Sequence, residues 1–415
     1  MTASHTPAPT ADRLAPWAFA AFVEANTHDT AYRPPVVDGP VGPTIVRNGR
    51  ELVNFASISF LDLERHIPVQ RHFAQGALAH GLSTSGSRMT QGICRPHQEL
   101  EETIARRTGK ERAISFATGL LANIGFVHAM SSSAHFDAGI EVHNHDTVFV
   151  VDRDVHWSIW KGLEGLGYSR KAHAFRHNDV ADLDRVLDRV RAPKTVVIAE
   201  SIYSADGTMG PIVDILDACD RHGAISMIDD ANGFMVYGPE NRPYAAEAAA
   251  IRERADFVMV SLSKAIGLEG GAIAGPAAAI DAFELLSGTS MFTAAIQPPT
   301  AYAAKRTIDA LADDPRIVDD YLAHAARLRR QMREAGTPTT PTESYMLSVP
   351  IGSDAAALQM REWFVADGYL VPVFSYPAVS RNQALLRLFP HAGHTEEQME
   401  GFLDTLLTYR RRLGL

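Results

Sequence analysis

Between positions 71 and 275 the chain alternates short apolar runs with stretches whose apolar residues recur every three or four positions. The runs at 113–116, 148–151, 195–200, 225–230 and 257–261 are rich in β-branched residues, and several lead directly into polar residues or glycine. They read as buried strands, because a strand covered on both faces needs no polar alternation. The stretches at 97–107, 179–191 and 213–222 carry helical spacing. Strands alternating with helices predict an α/β fold with a mostly parallel sheet covered on both faces. In such sheets ligands bind beyond the carboxyl ends of the strands. Polar residues that follow strand ends are therefore the first place to look for chemistry.

A long helical stretch at 300–335 leads to a second βαβ-like region, with strands at 345–351, 369–374 and 384–389, a helix at 355–367 and a last helix from Thr395. At 415 residues the chain exceeds what one core usually serves. The expected division is a tail and segment at 1–70 that contributes to a smaller domain, a large domain at 71–300, and a smaller α/β C-terminal domain at 301–415. A first helix is expected near 17–26. The preceding residues are rich in Ala, Thr and Pro and lack the apolar core of a secretory signal.

Composition narrows the function classes. With 46% hydrophobic and 21% charged residues the chain has an ordinary globular make-up. No apolar stretch reaches the roughly 18 residues a membrane span needs; the best imitator, 119–130, is short and holds Asn123 and His128. A formal net charge of −10 without a basic run argues against nucleic-acid binding. Two cysteines, Cys94 and Cys219, make no disulfide framework and suit a reducing cytoplasm.

Four strand-end positions, taken together, describe a cofactor pocket. Ser261, Leu262, Ser263 and Lys264 close one apolar strand, and Gly267, Gly270 and Gly271 follow. A lysine just past a buried strand loses solvation, which favours the neutral amine that a Schiff base with an aldehyde cofactor requires. The bland alternative is a solvated loop lysine; the neighbouring hydroxyls and glycines, which suit a phosphate, weigh against it. Asp229 and Asp230 end another strand, where a carboxylate can pair with a protonated pyridine nitrogen or merely cap a turn. His156 follows the strand at 148–151 and can lie flat on a cofactor ring or be an inert structural histidine. Thr118, Gly119 and Leu120 open a helix, either as an anion cradle or as an ordinary capped start.

In this order and spacing, the pieces resemble enzymes dependent on pyridoxal phosphate (PLP) with the aspartate aminotransferase fold (fold type I), and more narrowly the α-oxoamine synthases. The resemblance runs from about Leu52 to the C-terminus. Its most specific stretches are Ser85-Gly86-Ser87-Arg88 with Gly92, His97-Gln98-Glu99-Leu100-Glu101, the run from Glu200 to Gly207, the strand ends at Asp229 and Lys264, and Leu386-Arg387-Leu388 with His394-Thr395. The resemblance implies that Lys264 carries the cofactor and then transfers protons, that Asp229 binds the pyridine nitrogen, and that His156 stacks on the ring. It places Ser204 near the phenolic oxygen and Thr118, Gly119, Leu120, Ser261 and Ser263 near the phosphate and ring edge. Arg387 would hold the substrate carboxylate, and Arg88 and Ile58 would border the substrate. A homodimer with shared active sites is also implied.

Three positions depart from the family. Asn232 stands where a histidine is usual and is expected to donate to the phenolic oxygen without carrying charge. Ile58 replaces an asparagine that helps bind the substrate carboxylate. The segment Phe292-Thr293-Ala294-Ala295 lacks a serine that reaches the partner's phosphate, a role Thr293 is expected to take over. An insertion at 131–145 holds His135, Asp137, His143 and His145, but their spacing is not that of a metal site, and an exposed or interface loop is expected instead.

The expected reaction is the decarboxylative condensation of an amino acid with an acyl thioester, giving an α-aminoketone. Two alternatives stay open: a different PLP-dependent coupling or side-chain replacement, motivated by Asn232 and Ile58, and a catalytically retired binding subunit, against which the retention of Lys264, Asp229 and His156 counts.

Overall fold

The computed structural model describes residues 14–26, 34–136, 139–238, 244–376 and 378–415. Its centre is a seven-stranded sheet in the order Arg112–Phe116, Gly271–Gly275, Phe257–Ser261, Ile225–Asp229, Thr195–Glu200, Val148–Asp152, Ala172–Phe175. Gly271–Gly275 runs antiparallel to both neighbours, and the other strands share one direction. The five strands read from the sequence all lie in this sheet. Four of them, Val148–Asp152, Thr195–Glu200, Ile225–Asp229 and Phe257–Ser261, are parallel neighbours, and apolar clusters cover the sheet on both faces.

Two strands of the sheet were not anticipated. Gly271–Gly275 reads Gly-Ala-Ile-Ala-Gly, a sequence of poor strand propensity, and it is made a strand by pairing on both sides. Its glycine has a further use. A Cβ on Gly271 would lie 2.6 Å from Gly119 Cα, so a side chain there would displace the start of the helix Gly119–Ser131. Ala172–Phe175 is a short edge strand whose half-exposed His173 breaks the apolar run.

The stretch expected as one helix at 300–335 is two, Pro298–Asp313 and Arg316–Glu334. The break falls at Asp314 and Pro315, since the residue before a proline is pushed out of the helical region. The strand expected at 369–374 is likewise split. Tyr369–Leu370 pairs with Arg50–Asn54, while Val373–Phe374 joins Leu347–Gly352 and Ala384–Leu388. A third apolar cluster lies under these strands and the helix Glu396–Leu413, and it takes in Phe55 from the N-terminal segment. The final helix starts where expected, with Thr395 and Gln398 forming a reciprocal capping box. Among the described residues no helix is long and apolar enough to cross a membrane.

Candidate active site

Strand ends of the central sheet converge on a cavity of about 240 Å³. Asp229 and Glu200 are register partners on adjacent parallel strands, so their side chains leave the same face of the sheet. The next residue, Asp230, borders a different cavity, which assigns the inward role to Asp229. Asp229 is nearly fully buried and held at both oxygens: Oδ1 accepts the Ala231 N–H at 3.0 Å and Oδ2 accepts Asn123 Nδ2 at 2.8 Å.

One wall is an anion cradle. Thr118 caps the helix Gly119–Ser131 by accepting the Leu121 N–H at 3.2 Å. The N–H groups of Gly119 and Leu120 belong to the first turn, which has no intrahelical partners, and they sit at the positive end of the helix dipole. Ser261 and Ser263, whose hydroxyls are 2.9 Å apart, add donors beside it. Lys264 follows. Desolvation lowers the pKa of its amine, opposed by the negative charges of Asp229 and Glu200 and supported by the positive charge of Arg387.

His156 faces the same space. Its backbone N–H donates to Glu200 Oε1, and its Nδ1 lies 2.7 Å from Ser158 Oγ and 3.3 Å from the Ser158 N–H. His156 is exposed to the cavity, yet desolvation of its ring lowers the pKa, with Asp229 opposing and Lys264 and Arg387 adding to the shift, which favours the neutral imidazole. Glu200 is 2% exposed, and burial, then the proximity of Asp229, pushes its pKa well up. Its second oxygen accepts the Ser204 N–H at 3.3 Å.

Arg387 approaches from the strand Ala384–Leu388. Its guanidinium stacks over Phe374 at 4.1 Å, donates to the Ser204 carbonyl and has no carboxylate partner among the described residues. Burial pulls its pKa down to about 10.

The cavity therefore brings together Ile58, Thr118, Gly119, Leu120, His156, Ser204, Asp229, Asn232, Ser261, Ser263 and Lys264 from the expected set. Three expected residues are not in its lining: Arg387, whose charge still acts on His156 and Lys264, and two that lie elsewhere. Arg88 forms ion pairs with Glu101 at 2.7 Å and with Glu284, its side chain 3% exposed. Burial works against that guanidinium, but the two carboxylates raise its pKa overall; with its donors so committed, Arg88 is a structural tie. Thr293 lies outside this chain's own cavity, next to the bridge between Ser87 and Ala294.

Asn232 also departs from expectation. Its Nδ2 donates to the Ile202 carbonyl at 3.0 Å, and its own carbonyl accepts the Tyr345 hydroxyl at 3.0 Å. The amide expected to reach the cofactor is already engaged by the backbone.

Asn123, Ser158 and Glu200 were not singled out from the sequence as site residues. The available signals were a polar residue inside the apolar run 119–130 and an acid closing a fully buried strand. The insertion at 131–145 contains a two-stranded hairpin, Ser133–Phe136 with Ile140–His143, on which His135 and His143 bond the same Glu141 carboxylate at 2.9 and 2.6 Å. Asp137 lies outside the described residues.

A twisted, mostly parallel sheet whose strand ends hold a desolvated lysine, an oriented carboxylate, a flat neutral imidazole and an anion cradle defines a PLP-dependent enzyme of fold type I. The aminotransferase class I and II family model matches residues 50–406, and the chain belongs to that family, among its α-oxoamine synthases. It is 31% identical to an 8-amino-7-oxononanoate synthase of Alcanivorax borkumensis over 89% of this chain and 92% of that one. An 8-amino-7-oxononanoate synthase of Marinobacter nauticus is 29% identical over 95% and 97%. Among solved structures, serine palmitoyltransferase from S. paucimobilis superposes with a TM-score of 0.85 at 25% identity, covering 97% of this chain and 99% of that chain. The Sphingomonas wittichii serine palmitoyltransferase gives 0.84 at 27%, covering 98% and 99%. PLP is the cofactor of this family, and the residues here fit it. The cradle suits a phosphate, His156 a ring face, Asp229 a ring nitrogen, and Lys264 an aldehyde.

Proposed function

We propose that this chain condenses an amino acid with an acyl thioester, releasing carbon dioxide and a free thiol and leaving an α-aminoketone. The observation that carries this reading is the part-buried Arg387 guanidinium, which among the described residues has a backbone carbonyl and aromatic faces around it but no carboxylate. An unpaired buried cation is costly, and a substrate carboxylate would satisfy it in bidentate fashion. PLP, when bound, supplies an aldehyde for the substrate amine and a ring that draws electrons from the α-carbon.

The remaining roles belong to the chain. Gly119, Leu120, Ser261 and Ser263 hold the phosphate, and Asp229 holds the pyridine nitrogen. His156 covers one ring face and keeps water from it. Lys264 Nζ, its neutral form favoured by burial, takes the α-proton of the amino acid and returns one to the product. The α-carbon so activated attacks the thioester carbonyl, and the carboxylate held by Arg387 leaves as carbon dioxide. A homodimer working in the cytoplasm, with a large domain at 71–300 and a smaller one at 301–415, completes the proposal.

Mass spectrometry of products from a panel of amino acids, with and without acyl-coenzyme A or acyl-carrier protein, tests it. The expected result is an α-aminoketone formed with stoichiometric free thiol and carbon dioxide. Ile58 in the cavity wall and the engaged amide of Asn232 favour a second reading, coupling to a different carbon acceptor. Turnover that releases neither thiol nor carbon dioxide would select it.

A further inference from the structure

Along the cavity wall, a continuous hydrogen-bond chain links the acid to the imidazole. Asn123 Nδ2 lies 2.8 Å from Asp229 Oδ2 and 2.9 Å from Ser158 Oγ, which in turn lies 2.7 Å from His156 Nδ1. Its direction follows from the chemistry of its ends. A carboxylate only accepts, so the Asn123 amide turns its NH₂ toward Asp229. The same nitrogen donates to Ser158 Oγ, which leaves the single hydroxyl proton of Ser158 free to point at Nδ1. The backbone N–H of Ser158 also donates to Nδ1, at 3.3 Å. A nitrogen that accepts two donors carries no proton of its own, and in a neutral imidazole the proton is then on Nε2.

We propose that Asn123 and Ser158 are positioning residues that couple Asp229 to His156 and lock the imidazole in its Nε2–H form. The inference rests on the assignment of Asp229 and His156 to the cofactor site. Asn123 is 1% exposed and Ser158 is fully buried. On the opposite side Glu200 grips the His156 backbone N–H, and ring and backbone are thus fixed by separate elements. Among the described residues Nε2 has no hydrogen-bond partner, so its proton is the donor that His156 offers a ligand. A histidine free to change tautomer would at times present a lone pair there and repel the oxygen acceptors that substrates bring.

The form of the ring is measurable without turnover. Nitrogen-15 NMR of histidine-labelled apoprotein, with the His156 signal assigned by its loss in His156→Gln, should show Nε2 protonated and Nδ1 bare. Ser158→Ala should give a mixture of tautomers and weaken PLP binding in a fluorescence titration by roughly 5- to 10-fold, the effect of one buried hydrogen bond. Ser158→Thr, which keeps the hydroxyl, should restore both. If Ser158→Ala does not fold, Ser158→Cys carries the same expectation, because a thiol donates weakly. A wild-type ring protonated at Nδ1, or a tautomer unchanged in Ser158→Ala or Ser158→Cys, overturns the proposal. These readouts contain no substrate, so a failure of the condensation reading would leave them unchanged, and a failure of the relay would show even where condensation is confirmed.

Discussion

At the level of single residues, Arg387 makes the clearest quantitative claim. Among the described residues no carboxylate pairs with it, so its removal should harm substrate binding more than the fold. Arg387→Ala is expected to keep PLP bound and to lower kcat/KM for the amino acid by about 2 kcal/mol or more, roughly 30-fold, the usual cost of truncating one partner of a buried charge pair. Steady-state kinetics on the holoenzyme checks this, and Arg387→Lys should recover only part, for want of a planar fork. Ile58 and Asn232 make the opposite kind of claim, because both remove polar function from one small cavity. The Asn232 amide is held by the Ile202 carbonyl, so Asn232→His must break that bond before a ring fits. We expect Asn232→His to depress the native reaction several-fold while PLP stays bound, and Ile58→Asn to interact with it non-additively, as neighbours sharing one pocket do. Near-neutral, additive effects on an unchanged product would reject a repurposed pocket. Most residues of this cavity were legible in the sequence, because each follows a strand end in a recognisable order. Asn123, Ser158 and Glu200 were not, because their meaning lies in contacts across 35 to 106 residues.

Among elements, the seam between the N-terminal segment and the C-terminal strands carries its own titration. Phe389 and Ala392 donate their N–H groups to the carbonyls of Phe55 and Phe60, and His394 packs on Phe55 at 4.4 Å while its Nδ1 accepts the His391 N–H at 3.1 Å. Burial lowers the pKa of His391 to about 4 and, with help from His391, that of His394 to about 3. In the unfolded chain a histidine titrates near ~6.5. Between that value and the folded values the unfolded state binds more protons, so stability falls as pH falls, and it is fully present only above the unfolded value. Thermal melts should show a lower Tm near pH 5 than at pH 7. His394→Asn, which keeps an acceptor for His391 but cannot titrate, should reduce that difference whatever it does to the absolute Tm. An undiminished difference would remove His394 from the account. The strands that could be read from sequence were those with enough β-branched apolar residues to signal burial by themselves. Gly271–Gly275 had no such signal; it is a strand because its neighbours make it one, and a proline and its preceding residue divided what periodicity alone ran together at 314–315.

For the whole molecule, several large apolar side chains are left exposed. Leu78 is 90% exposed, Phe292 81% and Leu82 66%, with Ile67, Met89 and Ile93 alongside them in sequence or pairing. The Ser87–Ala294 bridge joins the segments that carry three of these six, Met89, Ile93 and Phe292. Large apolar patches on a folded chain mark interaction surfaces, and a stable one buries on the order of 800 Å² per partner. The same segment holds Thr293, which lies outside its own chain's cavity, while Leu120 and Ile58, half exposed, border that cavity on the solvent side. We propose a second copy as the partner, with the 292–295 segment at the interface. The protein should therefore be a dimer by light scattering at micromolar concentration. Phe292→Glu should shift it toward monomer and cut activity at least tenfold, a charge in an apolar interface being paid for by dissociation, while circular dichroism stays native. If wild type proves monomeric and fully active, the cavity is complete within one chain and the exposed apolar side chains must serve something else.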